Sequence, residues 1–130
     1  MIRWKKTKFT KLSYKPEIKI SISNGEIGLE LLCLLDTGCS KTVISNRLVN
    51  SINPDLSNNK GIISTVHGES SSNMYIVYII FDGHSKAIRT DVGSHDNLKG
   101  YDVIIGMDII EDALFIINKG ILSFDIDYLK

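Results

Sequence analysis

The stretch Leu34-Leu35-Asp36-Thr37-Gly38-Cys39-Ser40-Lys41-Thr42-Val43-Ile44 constrains this chain more than any other. An apolar run leads into a lone carboxylate, then a Thr-Gly turn, then a second apolar run. Holding a carboxylate behind that much hydrocarbon costs several kcal/mol unless it is paired or hydrogen-bonded. The turn is therefore either a local capping device built on Asp36 or a site that uses the carboxylate chemically.

The flanking sequence describes short strands. Ile18, Ile20 and Ile22 alternate with Glu17, Lys19, Ser21 and Ser23, the period of a half-buried strand over Glu17 to Ser23. Asn24-Gly25 is a turn signal, and a return strand is expected from about Ile27 to Leu35. Its second half, Leu31 to Leu35, is apolar on both faces and reads as central in the fold. After Thr42-Val43-Ile44, Ser45 is placed to cap a helical turn reaching about Ile52, ended by Asn53-Pro54. A hairpin follows: Gly61 to Val66 runs out, His67 to Ser72 turns, and Asn73 to Phe81 returns. A strand over Lys86 to Val92, a polar loop over Gly93 to Gly100, and the buried strand Val103-Ile104-Ile105 come next. Gly106 leads that strand into a short helix ending near Ala113. Leu114 to Asn118 and Gly120 to Ile126 close the chain as strands about the turn Asn118-Lys119-Gly120. Many short strands with two brief helices predict an all-β barrel or sandwich in a single domain.

A chain of 130 residues with 43% apolar content makes one domain with a real core. Its net charge is zero but unevenly spread. Residues 1–16 carry Arg3, Lys5, Lys6, Lys8, Lys11 and Lys15 and no acid, leaving a net charge of −6 on the rest. This basic N-terminal arm is read as a solvated terminus or a lysine-guarded edge strand. A nucleic-acid-binding barrel would want interleaved surface aromatics, which are missing, so no nucleic-acid partner is expected. No run is long and apolar enough to span a bilayer, and the N-terminus lacks the apolar core of a signal peptide. No membrane partner and a cytoplasmic location are expected. Cys33 and Cys39 make neither a disulfide framework nor a zinc site, and both read as buried free thiols. His67, His84 and His95 show no ligand spacing, so neither metal nor cofactor is expected.

The whole pattern resembles the retropepsin-like branch of the aspartic proteases, the family that includes the retroviral enzymes. The alternating strand, the Leu-Leu-Asp-Thr-Gly turn, the hairpin, and Val103-Ile104-Ile105-Gly106-Met107-Asp108-Ile109-Ile110 about sixty positions on occur in that family's order. The resemblance implies an all-β closed barrel with one or two short helices, and a protease domain over residues 17–130 following the arm of residues 1–16. It also implies an aspartic endopeptidase acting on polypeptide, with Asp36 as the catalytic carboxylate. One chain carries one such turn, so a two-fold homodimer is implied, each copy giving one Asp36. By the same resemblance Thr37 bonds across the two-fold axis, Gly38 and Ser40 bond Asp36, and Cys39 stands where alanine is usual. Val66, His67, Gly68 and Glu69 fall at a flap tip over the substrate. Ile62, Val66 and Ile104 are candidate pocket residues. Ile104, Ile105 and Gly106 back the turn. Asp108 is read as a helix-start acid and Asp102 as an exposed strand-end charge. A non-catalytic dimerisation or peptide-binding module of the same fold is the alternative that the residues leave open.

Overall fold

The structure, a computed structural model, describes residues 8–11, 15–65 and 68–126. In chain order the elements are β1 (Lys8–Lys11), β2 (Glu17–Ser23), β3 (Gly28–Leu35), β4 (Val43–Ser45), α1 (Asn46–Ile52) and β5 (Leu56–Thr65). They continue with β6 (Gly68–Phe81), β7 (Ile88–His95), β8 (Val103–Ile105), α2 (Met107–Ile110), β9 (Leu114–Asn118) and β10 (Ile121–Asp125).

Seven strands form one sheet in the order β2-β3-β8-β4-β7-β6-β5, and an added β2–β6 pairing bends it shut. Six of them thus close into the barrel that the resemblance implies, with β5 hung on the outside of β6. Closure removes the open edges that a flat sheet of this size would expose. The alternation in β2 sets the inside: Ile18, Ile20 and Ile22 are at most 3% exposed, whereas Lys19 between them faces solvent. Each contributes roughly 1.5–3 kcal/mol by leaving water. Val77, Ile79 and Phe81 of the paired strand β6 pack beside them, joined by Cys33, Leu35, Ile44, Val92, Val103 and Ile105.

Local chemistry fixes the ends of these elements. Asn24 Oδ1 accepts from the amides of Glu26 and Ile27, and its Nδ2 donates to the carbonyl of Ile52, so the β2–β3 turn is pinned to the end of α1. Ser45 caps α1 as expected, its hydroxyl accepting from Leu48 N at 3.0 Å. Asn53 ends the helix in the left-handed region at φ 47°, which asparagine tolerates better than most residues. Lys119 and Gly120 make the closing β9–β10 turn with φ of 51° and 78°.

Four expectations are corrected. Leu32 is 56% exposed: β3 lies in a barrel wall, so only Leu31, Cys33 and Leu35 face the core. The hairpin turn does not extend over His67 to Ser72, because Thr65 already pairs with Gly68 and Ser70 to Ser72 lie within β6. Its outgoing strand starts five residues before Gly61, and an irregularity between Leu56 and Lys60 shifts its register. Finally, β7 runs on through Gly93 and Ser94 to His95, where the expectation was loop, because parallel pairing with Val43, Ile44 and Ser45 extends it.

A second, three-stranded sheet, β1-β10-β9, packs on the barrel. The basic arm thus contributes a strand, and Leu122 and Phe124 of β10 are buried in the common core. Phe124 stacks obliquely on Phe81 at 4.9 Å between ring centroids. Beside it lies a buried histidine–aspartate pair invisible in the sequence. His84 Nε2 is 3.1 Å from Asp125 Oδ1, with side chains 1% and 0% exposed, and His84 Nδ1 is 3.2 Å from the carbonyl of Asp82. Contacts from both ring nitrogens tie the β6–β7 turn to the terminal sheet. Removing one member of a buried pair strands the other. Asp125→Ala is therefore expected to lower unfolding stability by about 3 kcal/mol, and Asp125→Asn, which keeps an acceptor, by less. Urea titration at one fixed protein concentration checks this. An unchanged midpoint in Asp125→Ala would mean that the pair does not hold the two sheets together.

Candidate active site

Asp36 follows the last residue of β3, and its backbone N–H donates to Ile105 O at 2.9 Å, continuing the parallel β3–β8 pairing by one step. The carboxylate is set by the turn after it. Gly38 N donates to Asp36 Oδ1 at 2.9 Å, and Cys39 N donates to Asp36 O at 3.1 Å. Asp36 is half-buried, while Thr37 and Gly38 are exposed. The turn thus presents a hydrogen-bonded carboxylate and a free-facing threonine on one open surface.

Behind the turn, β8 and the start of α2 form a floor. Ile105 is fully buried and Ile104 half-buried. At Gly106, an added Cβ would lie 2.7 Å from Cys39 O and from the Lys41 carbonyl carbon. No side chain fits there, so the need at this position is close approach of two backbones. Met107 N donates to Cys39 O at 2.7 Å and Asp108 N to Ser40 O at 3.1 Å. Asp36, Cys39, Ser40 and Thr42 are therefore each hydrogen-bonded to residues 105–108.

Several assignments change. Ser40 does not bond Asp36: its side chain is exposed, and only its carbonyl is engaged, by Asp108 N. Thr42 instead supplies the buried hydroxyl of this loop, accepting from Gly106 N at 3.1 Å and donating to Asp108 Oδ1 at 2.8 Å. Asp108 does open α2, but its carboxylate serves Thr42. Asp102 is not a solvated strand-end charge. Arg47 grips it through Nε and Nη2, and Ser45 Oγ donates to it at 2.7 Å. Burial opposes its ionisation, but the bonds from Ser45 and Arg47, with the Arg47 charge, outweigh burial and hold the carboxyl below its ordinary value. Thr42 escapes a reading of the sequence because a threonine in a β-branched run reads as strand filler; its one signal is a hydroxyl just after the Asp-Thr-Gly turn.

The long hairpin rises from the same barrel. Beyond Tyr75, which pairs with Val92, residues 60–65 pair with residues 68–73. Asn59 Nδ2 donates to Asp91 Oδ2 at 2.6 Å and anchors its base on β7. Val66 and His67 lie outside the described residues. Ile62 belongs to β5, and Gly68 and Glu69 open β6.

The two thiols differ more than expected. Cys33 is fully buried, and burial pushes its thiol up to about 12. Cys39 is only half-buried and donates to Lys41 O at 2.9 Å. Burial also raises its pKa, and the nearby carboxylates of Asp36 and Asp108 push the same way. A raised thiol pKa means less thiolate, the reactive species, at neutral pH. Iodoacetamide should therefore label Cys39 in the native protein more slowly than a free thiol at pH 7, with the rate climbing as pH rises. Cys33 should react only on unfolding. Peptide mapping by mass spectrometry checks both, and fast native labelling of Cys33 would contradict its placement in the core.

No known protein-family model matches the sequence, and no curated protein sequence does. Solved structures do match. EIAV protease complexed with the inhibitor HBY-793 superposes with a TM-score of 0.54 at 25% identity, over 79% of this chain and 91% of its own. A retropepsin-like aspartic protease from Rickettsia conorii gives 0.56 at 18% identity, over 90% and 97%. The protease of Simian Foamy Virus (mac) gives 0.54 at 15% identity, over 73% and 91%. A closed six-stranded barrel, a Leu-Leu-Asp-Thr-Gly turn at the end of one of its strands, and these matches together make the fold of the chain retropepsin-like.

Proposed function

We propose that this chain is an aspartic endopeptidase active as a two-fold homodimer, with Asp36 of each copy forming the catalytic pair. One observation carries the reading: Asp36 is half-buried, held by Gly38 N at 2.9 Å, and set in an exposed Thr-Gly turn on a rigid floor. One carboxylate is half of what peptide hydrolysis by this route needs. Two carboxylates in contact share a single proton, because both cannot ionise at that separation. Their apparent pKa values belong to the pair.

The chemistry then follows. The ionised carboxylate takes a proton from a water whose oxygen attacks the scissile carbonyl carbon. The protonated carboxylate gives its proton to the carbonyl oxygen, producing a neutral gem-diol. As the gem-diol collapses, a hydroxyl proton returns to one carboxylate and the other protonates the departing nitrogen. The C–N bond breaks, and the pair is again singly protonated. Thr37, facing outward in each copy, is assigned to hold the two turns in register across the axis. The β5–β6 hairpin is assigned as a lid over an extended peptide, with Val66, His67, Gly68 and Glu69 at its tip, excluding water from the site. Ile62, Val66 and the half-buried Ile104 suit apolar side chains beside the cut. Residues 17–130 form the protease domain in this reading, and β1 of the basic arm buttresses its terminal sheet.

The test is cleavage of a peptide library across pH 4 to 7 by wild type and by Asp36→Asn. The expected result is cutting that falls by at least about 100-fold in the variant, the scale of a lost acid–base group. Specific activity should also fall on dilution as dimers separate. A dimeric protein that cuts nothing would point to a binding module of the same fold. Cutting that survives Asp36→Asn would overturn the assignment of the catalytic residue.

A further inference from the structure

We propose that Thr42 and Asp108 are positioning residues that hold the catalytic turn at its exit end, an inference resting on the reading of Asp36 as catalytic. Asp108 Oδ1 accepts twice from Thr42, from the backbone N–H at 2.9 Å and from the hydroxyl at 2.8 Å. Thr42 Oγ1 in turn accepts from Gly106 N at 3.1 Å. Thr42 is fully buried. These contacts make a closed ring through two segments more than sixty residues apart in sequence.

The ring sits where the loop needs it. At its entry, Asp36 is fixed by the β3–β8 ladder and by Ile105 O. At its centre, Cys39 O and Ser40 O accept from Met107 N and Asp108 N. The exit has only the short strand β4 after it, and there the Thr42–Asp108–Gly106 ring completes the lacing.

Helix capping does not account for Asp108. An acid in a first helical turn ordinarily faces the helix's own amides. Here α2 is four residues long, its N-cap is Gly106 with no side-chain cap bond, and Oδ1 is spent on the opposite loop. The other oxygen, Oδ2, is buried with no hydrogen-bond partner among the described residues. Leaving a carboxylate oxygen so placed costs free energy. The two bonds to Thr42 are what that cost secures. A catalytic carboxylate displaced by about 1 Å can lose on the order of 100-fold in rate, so an exit held this way acts on turnover more than on substrate binding.

Four variants test this: Thr42→Val and Asp108→Ala, which remove the ring, and Thr42→Ser and Asp108→Asn, which keep a hydroxyl or an acceptor in place. Thr42→Val keeps shape and burial, so it is decisive alone should Asp108→Ala fail to fold. The first readout, amide hydrogen exchange, needs no activity. Exchange at Thr42, Gly106 and Met107 should accelerate about tenfold or more in the two disruptive variants, with β2 and β6 unchanged. In the second readout, kcat should fall on the order of 100-fold in those variants with KM within about threefold, while the conservative pair stays near wild type. Wild-type exchange and wild-type kcat in Thr42→Val would overturn the proposal. If the wild type cuts nothing, the protease reading fails by itself and exchange still decides whether the ring holds the turn.

Discussion

The constraint on which the rest of this structure depends is the contact of two backbones at Gly106. A Cβ there would sit 2.7 Å from the carbonyl oxygen of Cys39, closer than such atoms approach. Because glycine permits the contact, amides of α2 reach carbonyls of the Asp36 turn, and β8 lies between β3 and β4 with one parallel and one antiparallel partner. β8 thereby joins the first hairpin to β4, while the β2–β6 pairing closes the barrel from the hairpin's other strand. The site and the fold therefore share one seam: the geometry that seats Asp36 also sets β8 in the barrel wall.

Around that contact the molecule places its few buried polar groups with economy. Among the described residues, Thr42, Ser45, Ser123 and Asp125 are the polar side-chain residues that are buried. Thr42 and Ser45 each bind an aspartate flanking the neighbouring strand β8, Asp108 and Asp102, and each sits at the start of a new element. Asp125 faces His84. Hydrogen-bonded groups of this kind add little net stability over an apolar core, but they penalise every arrangement in which the partners separate. Register in short strands such as β4 and β8, three residues each, is poorly specified by hydrophobic burial alone, so these cross-links do much of the specifying.

This division explains what could be read from sequence. The alternation in Glu17 to Ser23 sets β2 to the residue, Ser45 and Asn53 mark both ends of α1, and the last two strands follow from Asn118-Lys119-Gly120. All are local signals. Asp36 was legible because an acid between apolar runs is conspicuous whatever surrounds it. The misreadings are non-local. Leu32 looked buried because its neighbours in sequence are apolar, yet exposure depends on whether a second layer covers that wall. Ser40 was credited with the bond to Asp36, and Thr42 was passed over, since direction along a loop is set by the segment it packs on. Arg47 and Asp102 are fifty-five residues apart, and His84 and Asp125 forty-one. Nothing within either neighbourhood announces the other.

The asymmetry of the turn bears on the proposed dimer. Its inner side is saturated: carbonyls of Asp36, Cys39, Ser40 and Lys41 all accept hydrogen bonds from within the chain. Its outer side is not, since Thr37 and Gly38 are exposed and Asp36 is only half-buried. A turn held so firmly from behind loses little conformational entropy when something docks on its front, and preorganisation of that kind is where binding and catalysis draw their advantage. In the proposed reading the docking surface is a second copy of the same turn. The reaction then needs no movement of either carboxylate, only the meeting of two that are already in place. Association and activity would be governed by the same encounter, and the concentration of the chain would itself set how much enzyme exists.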